Sequence, residues 1–406
     1  MTDDITIEVP RSDEWDAIFS ASSAAFNVDA EDSASERLVF EPERFLVARR
    51  DGDIVGTSGI YTRSLAVPGA VVPAAHVTFV SVAPTARRQG ILTRFMDRQF
   101  LDIRAAGEPI AVLWASEARI YQRFGYGLAA RRLRLSVETR EVNLTADTPD
   151  TGRLREGTPT DLRDTIAKLY DQVYPQRPGW SERAPRHVDS RLADHKRNRH
   201  GASSLRVLIH EGAQGVDGYA LWRVTDTWGG GGPAGEVRVL EVCSATNEAY
   251  AALWRFLLTV DLTRSATIWS ASVDEPLQFM VNEPRRLNAK LSDALWLRVV
   301  DVPGALSARR YATDVDIVID ATDQRIPANA GRWRLTGSTD AAQCQSTVDE
   351  PDLWCDVRAL GAAYLGGTSW DTLATTGLVR ELRPGALARS AAAFGWHRMP
   401  SAPEVF

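Results

Sequence analysis

Cysteine is scarce in this chain of 406 residues, with only Cys243, Cys344 and Cys355. The number is odd and no two stand in a CxxC pair. A disulfide scaffold and a structural zinc site are therefore not expected, and a reducing, cytoplasmic compartment fits. Long apolar runs are also missing. No stretch reaches about 18 apolar residues, so no membrane span is expected. The acidic start, MTDDITIEVPRSDEW, lacks the apolar segment of a signal peptide. His76, His187, His195, His200, His210 and His397 show no metal spacing such as HExxH. The net charge is only −6. It reads first as surface composition, disfavours nucleic acid or an anionic membrane as the main partner, and mildly suits cationic small molecules.

What the chain does contain is an ordinary globular mixture, 44% hydrophobic and 25% charged. Its length predicts two or three domains of roughly 100–200 residues each. The first reads as a short strand and a helix over 5–28, with Trp15, Ile18, Phe19 and Phe26 on the apolar side. Phe45–Arg50 and Ile54–Tyr61 form a hairpin about Asp51-Gly52, and a second hairpin turns at Pro68-Gly69. Arg131–Val137 alternates and is expected to be the last strand of this domain. The turn-rich NLTADTPDTG over 143–152 reads as a linker.

A second domain opens with a strand and helix after Arg153, with Thr158 or Thr160 as the cap. Leu205–His210 and Gly218–Val224 are strands, with a loop at Gly229–Gly232. Leu253-Trp254-Arg255-Phe256-Leu257 echoes Leu92-Thr93-Arg94-Phe95-Met96 at an offset of 161, so the fold is expected to repeat. At the same offset Arg87, Arg88 and Gly90 meet Glu248, Ala249 and Ala251, so the chemistry is not. A third region starts near Leu295. Trp296–Val302, Asp316–Ile319, Gly331–Thr336 and Cys344–Val348 read as strands, and Trp354–Leu365 and Trp370–Leu378 as helices. The expected class is α/β in the α+β sense, with domains at 1–145, 150–292 and 293–406.

The most informative stretch runs from His76 to Gly127. Val77–Val82 is β-branched and ends at Ala83-Pro84, since proline cannot continue a ladder. Arg87-Arg88-Gln89-Gly90 follows, and helical spacing starts at Ile91, Leu92, Phe95 and Met96. A loop entering a helix presents unpaired N–H groups and the positive end of the dipole, which is an anion site. Gly90 lets the backbone close on a pyrophosphate. By itself the pattern equally describes a solvated basic turn. The next element is a buried strand, Ile110–Trp114, then Ser116-Glu117 and Tyr121-Gln122-Arg123-Phe124-Gly125-Tyr126.

TFVSVAPTARRQG over 78–90 and ASEARIYQRFGYG over 115–127 together resemble the GNAT N-acetyltransferase superfamily. With the degenerate second copy, LWLRVVDVP at 295–303 and an aromatic last residue, the chain resembles the enhanced intracellular survival (Eis) family. That resemblance implies tandem GNAT domains, the second degenerate, and a sterol-carrier-like C-terminal domain. It also implies a homohexamer and acetyl-CoA-dependent N-acetylation of polyamine-like small-molecule amines, aminoglycosides included.

Carried over residue by residue, the resemblance gives Val80, Ser81 and Val82 backbone bonds to the pantetheine arm and acetyl carbonyl. It assigns Arg87, Arg88, Gln89, Gly90, Ile91, Leu92 and Thr93 to the pyrophosphate, and Ser116 and Glu117 to the other wall. Tyr121 becomes the general acid that protonates the leaving thiolate, from a phenol pKa of ~10. The terminal carboxylate of Phe406 becomes the base, raised by desolvation from about 3.5. The family's acids are displaced here. Phe26 is followed by Asn27, Val28 and Asp29, and Glu404 stands two residues before the end. Asp29, Glu31, Asp32 and Glu36 are the nearby candidates for holding a polycation. The alternatives in other classes are a lipid or small-ligand carrier using the C-terminal domain, and a regulatory binding protein.

Overall fold

The computed structural model describes residues 5–30, 33–145 and 152–406. The first stretch carries β1 (Thr6–Glu8), α1 (Trp15–Ala25), α2 (Ala34–Arg37), β2 (Phe45–Arg50), β3 (Asp53–Val67), β4 (Ala70–Val82), α3 (Ile91–Ala105), β5 (Ile110–Trp114), α4 (Ala118–Tyr121) and β6 (Gly127–Leu128). The second carries β7 (Arg131–Glu138), β8 (Arg153–Gly157), α5 (Arg163–Val173), α6 (Pro185–Leu192), β9 (Arg206–Gly212), β10 (Gly215–Thr225), β11 (Trp228–Gly229), β12 (Gly232–Pro233), β13 (Gly235–Ser244), α7 (Asn247–Leu257), β14 (Thr263–Ala271), α8 (Leu277–Met280) and β15 (Lys290–Asp293). The third carries β16 (Leu295–Val299), α9 (Val302–Ala308), β17 (Val315–Thr322), β18 (Gly331–Gly337), β19 (Ala342–Ser346), β20 (Leu353–Asp356), α10 (Val357–Ala363), α11 (Trp370–Thr375), β21 (Val379–Glu381) and α12 (Ala386–Phe394).

The local turns follow from their residues. The β2–β3 hairpin closes on Asp51 and Gly52, both at positive φ (51° and 90°), the geometry that Asp-Gly tolerates. The β3–β4 hairpin turns at Pro68-Gly69, with Gly69 at φ 67°. In α1, Trp15 and Ile18 are fully buried, while Phe26 lies past the helix end and is 47% exposed. The turn-rich segment expected as a linker, 143–152, falls largely on 146–151, outside the described residues. Thr158 does not cap α5 directly; its hydroxyl accepts Asp161 N–H at 3.1 Å, in the turn before the helix.

Two large sheets result. The first runs β1-β2-β3-β4-β5-β16-β6 and the second β15-β7-β14-β13-β10-β9-β8. A smaller sheet, β19-β18-β17-β20-β21, lies in the C-terminal stretch. Two expectations are corrected here. Arg131–Glu138 does not close the first sheet; it pairs antiparallel with β14 and β15 in the second. Leu295–Val299 does not open the C-terminal sheet; it sits between β5 and β6 in the first. Alternation marks Arg131–Glu138 as a strand and a short buried apolar run marks Leu295–Val299, but neither pattern carries an address for the partner. A third correction is local. Leu353–Asp356 is strand, and α10 begins only at Val357, where the Asp356 carboxylate caps Arg358 N–H at 2.9 Å.

The chain accordingly divides into two compact units. One gathers residues 1–130, 294–400 and 405–406; the other gathers 131–293 and 401–404. The core of the first includes Phe100, Tyr121, Phe124, Tyr126, Trp296 and Ile326 in one cluster. The second is built around Trp222, Leu253 and Trp254. Cys243, Cys344 and Cys355 are all free and buried.

The fold repeat is present. The parallel pair β4–β5 is bridged by α3, and the parallel pair β13–β14 by α7. Each first strand carries a bulge, at Phe79-Val80 and at Leu240, and Leu240 stands 161 residues after Phe79.

Candidate active site

The site begins where β4 and β5 part. They pair from Ala74↔Ile110 to His76↔Val112, after which β4 runs on to Val82 with no strand paired on that edge among the described residues. At the bulge Phe79 adopts φ 51°, an unusual strain for a bulky residue. Thr57 holds it: its hydroxyl donates to the Phe79 carbonyl at 2.6 Å, and Ser81 donates to Thr57 Oγ1 at 2.7 Å. Beyond Ala83-Pro84 the chain turns through Arg88 at φ 63° and Gly90 at φ 80° into α3. Among the described residues no side chain caps this helix. Its first N–H groups and its dipole therefore face the opening left by the splayed strands. Nothing lies within 4 Å of a Cβ built on Gly90.

A cleft of about 740 Å³ occupies this opening. It brings together Val80, Ser81, Val82, Arg87, Arg88, Gly90, Ile91, Leu92, Thr93, Ser116, Glu117 and Tyr121. Gln89 is absent from the described lining; its amide oxygen accepts from Arg50 Nη2 at 2.5 Å. Phe406 is absent too. It is half-buried, its ring 4.6 Å from that of His76 and packed near Tyr61 and Phe45. His76 itself is fully buried, with Nδ1 2.9 Å from the Ala74 carbonyl.

Phe26 and Asn27, where the family's acid is displaced, also line the cleft, and sequence reasoning missed Ala25, Ala86, Arg119, Ile120 and Arg123. The arginines had a signal, since Arg119 and Arg123 lie four apart around Tyr121. Among the described residues the cleft lining thus carries four guanidiniums against one carboxylate, Glu117, which is itself 3.2 Å from Arg119. That balance, with an uncapped helix start, suits a polyphosphate-bearing molecule. Of the proposed acids, Asp29 is exposed and outside the described lining, Glu36 is bonded by Ser35 at 2.7 Å, and Glu31 and Asp32 lie outside the described residues.

Tyr121 ends α4 and is 8% exposed. Burial pushes its phenol up to about 12, with Glu117 adding to the effect. Tyr126 lies beneath it, fully buried, with the two rings edge to face at 5.8 Å. Burial raises the Tyr126 phenol as well, opposed by Arg298.

The second copy fills the equivalent places with its own side chains. Thr246 caps α7, its hydroxyl accepting Ala249 N–H at 3.2 Å. After the bulge stands Glu241, gripped by both Nη atoms of Arg183 at 2.9 and 2.7 Å and by the Tyr219 hydroxyl at 2.5 Å. Arg183 also holds Glu404 at 2.6 Å. Burial would raise the Glu241 carboxyl, but Arg183 and Arg191 outweigh it and hold it at about 2.

Comparison with known proteins places this geometry. Models of the acetyltransferase (GNAT) domain match residues 6–129 and 179–299, and the sterol carrier protein domain matches 302–403. An uncharacterized N-acetyltransferase of Streptomyces coelicolor is 42% identical, over 98% of both chains. The N-acetyltransferase Eis of Mycobacterium tuberculosis is 33% identical over 96% of both. Among solved structures, Eis1 from Mycobacterium abscessus superposes with a TM-score of 0.86 at 33% identity, covering 99% of this chain and 100% of its own. A GCN5-related N-acetyltransferase from Anabaena variabilis reaches the same TM-score at 19% identity, a likeness of fold. With relatives of this identity matching along the whole chain, the protein belongs to the Eis family of GNAT N-acetyltransferases.

Proposed function

We propose that the cleft binds acetyl-CoA and that the enzyme transfers its acetyl group to a small-molecule amine. The observation that carries this reading is the shared opening of the uncapped α3 start and the Tyr121 hydroxyl. The α3 N–H groups with Arg87 and Arg88 would hold the pyrophosphate. The β4 edge would bond the pantetheine arm, and a free N–H near the bulge would stabilise the developing oxyanion. The amine nitrogen forms a bond to the acetyl carbon, the C–S bond breaks, and the departing sulfur takes the proton of Tyr121. The Phe406 carboxylate serves as base, with a bridging water relaying the amine proton.

The family resemblance suggests polyamine-like acceptors and a homohexamer. In this chain the part of the cleft lining contributed by Ala25, Phe26 and Asn27 is uncharged. An amine on an uncharged body is therefore the preferred acceptor, and polycationic aminoglycosides are poor ones. A thiol-release assay with acetyl-CoA against monoamines, polyamines and aminoglycosides tests the ranking. Tyr121→Phe is expected to lower kcat by ~100-fold or more while leaving acetyl-CoA binding unchanged; unaffected turnover would remove Tyr121 from the mechanism. Full activity in a protein extended beyond Phe406 would do the same for the terminal carboxylate.

A further inference from the structure

Behind the tyrosine turn lies a charge that the proposed chemistry does not use. Arg298 on β16 is completely buried. Only Nη2 is committed, to both oxygens of Asp323 at 2.8 and 2.6 Å. Among the described residues nothing accepts from Nε or Nη1, and the Tyr126 hydroxyl is likewise without a partner. The guanidinium lies flat against Gly125: a Cβ there would sit 2.7 Å from Cζ and Nη1. Gly125 is also left-handed, at φ 86°. The turn from Tyr121 to Tyr126 and the guanidinium therefore fix each other's shape.

The far end of this ion pair is equally committed. Asp323 accepts the backbone N–H groups of Arg325 and Ile326 at 3.0 and 3.1 Å, and Asn329 Nδ2 at 3.0 Å. Arg325 lies over the Phe124 ring at 5.3 Å, and Ile326 shares a core cluster with Tyr121, Phe124 and Tyr126. These residues belong to the segment matched by the sterol carrier domain. Buried ion pairs are poor sources of stability compared with apolar packing, and their best-attested use is to specify geometry.

We propose that Arg298, held by Asp323, is a positioning residue for Tyr121, so that the sterol-carrier segment acts in acetyl transfer as the backing of the acid's turn. The proposal rests on the reading of Tyr121 as general acid. It says that loss of the ion pair harms protonation of the leaving sulfur and little else.

A leaving group that needs no proton separates this role from a structural one. Acetyl-selenocoenzyme A releases a selenolate, which departs without help from an acid. Tyr121→Phe, Arg298→Met, Arg298→Lys and Asp323→Asn are assayed on the thioester and the selenoester, with coenzyme A affinity measured in parallel. Tyr121→Phe is expected to lose ~100-fold in kcat on the thioester and little on the selenoester. Arg298→Met and Asp323→Asn are expected to lose about tenfold or more on the thioester, with the selenoester rate and coenzyme A affinity near wild type. Arg298→Lys recovers part of the loss.

If Arg298→Met loses both substrates equally, loses neither, or fails to fold together with Asp323→Asn, the ion pair is structural and the proposal is overturned. If Tyr121→Phe shows no thioester-specific loss, the general-acid reading falls first, and the proposal with it. That result is recognisable because it appears in a variant that leaves Arg298 intact.

Discussion

Tyr121 and Glu275 are two buried acids whose protons are held more tightly than in water, with different consequences. Tyr121 is raised to about 12, so it stays protonated through any ordinary assay range. The pH profile of kcat should therefore show no alkaline fall below about pH 10 that disappears in Tyr121→Phe. Glu275 is raised to about 7 by burial, against the opposing pull of Arg177 and the N–H groups of Leu277 and Ser272. A carboxyl with a raised folded pKa stabilises fully below its unfolded value near 4.5, and the benefit is lost as pH rises through about 7. Glu275→Gln should thus gain stability relative to wild type between pH 5 and pH 8, by up to about 3 kcal/mol, as read from urea unfolding at the two values. At this scale the sequence was most legible where a motif tied residues to one loop, as at Arg87, Arg88 and Gly90–Thr93, which line the cleft while Gln89 does not. It was silent on Glu275 and Arg298, because burial is a property of what packs around a residue.

Helices α3 and α7 follow equivalent strands, but α7 begins at Asn247, five residues earlier in the repeat than α3 does at Ile91, and the two treat their exposed N–H groups differently. Thr246 satisfies α7 internally, whereas α3 opens on Gly90. Thr246→Ala should cost about 1 kcal/mol of stability and create no affinity for coenzyme A, measurable by denaturation and calorimetric titration. Gly90→Ala forces an L side chain to φ 80°, at about 1–2 kcal/mol, and should weaken acetyl-CoA binding at the α3 start. The echo of five residues was enough to expose the repeat, since both helices need the same apolar face against a parallel strand pair. The extent of β20 was misread because Trp354 and Cys355 suit either a helix or a strand, and only Asp356 marks the change.

For the whole molecule the decisive fact is the exchange of β7 and β16 between the two large sheets. Residues 1–145 expressed alone would leave β5 without the strand on its far side, exposing an apolar edge over Ile110–Leu113. That fragment should be aggregated and inactive by size-exclusion chromatography and thiol release, although it contains every proposed acetyl-CoA contact. The sequence conveyed the repeated acetyltransferase fold and the sterol-carrier-like region but not this exchange, because strand pairing between residues so far apart in the chain leaves no local trace. The exchange also sets a schedule for synthesis. At roughly 5–20 residues per second, β5 emerges from the ribosome roughly ten to forty seconds before β16 does. Throughout that interval the newborn chain carries an unfinished sheet, so the rate of translation and the supply of chaperones bear on the yield of this enzyme before any substrate does.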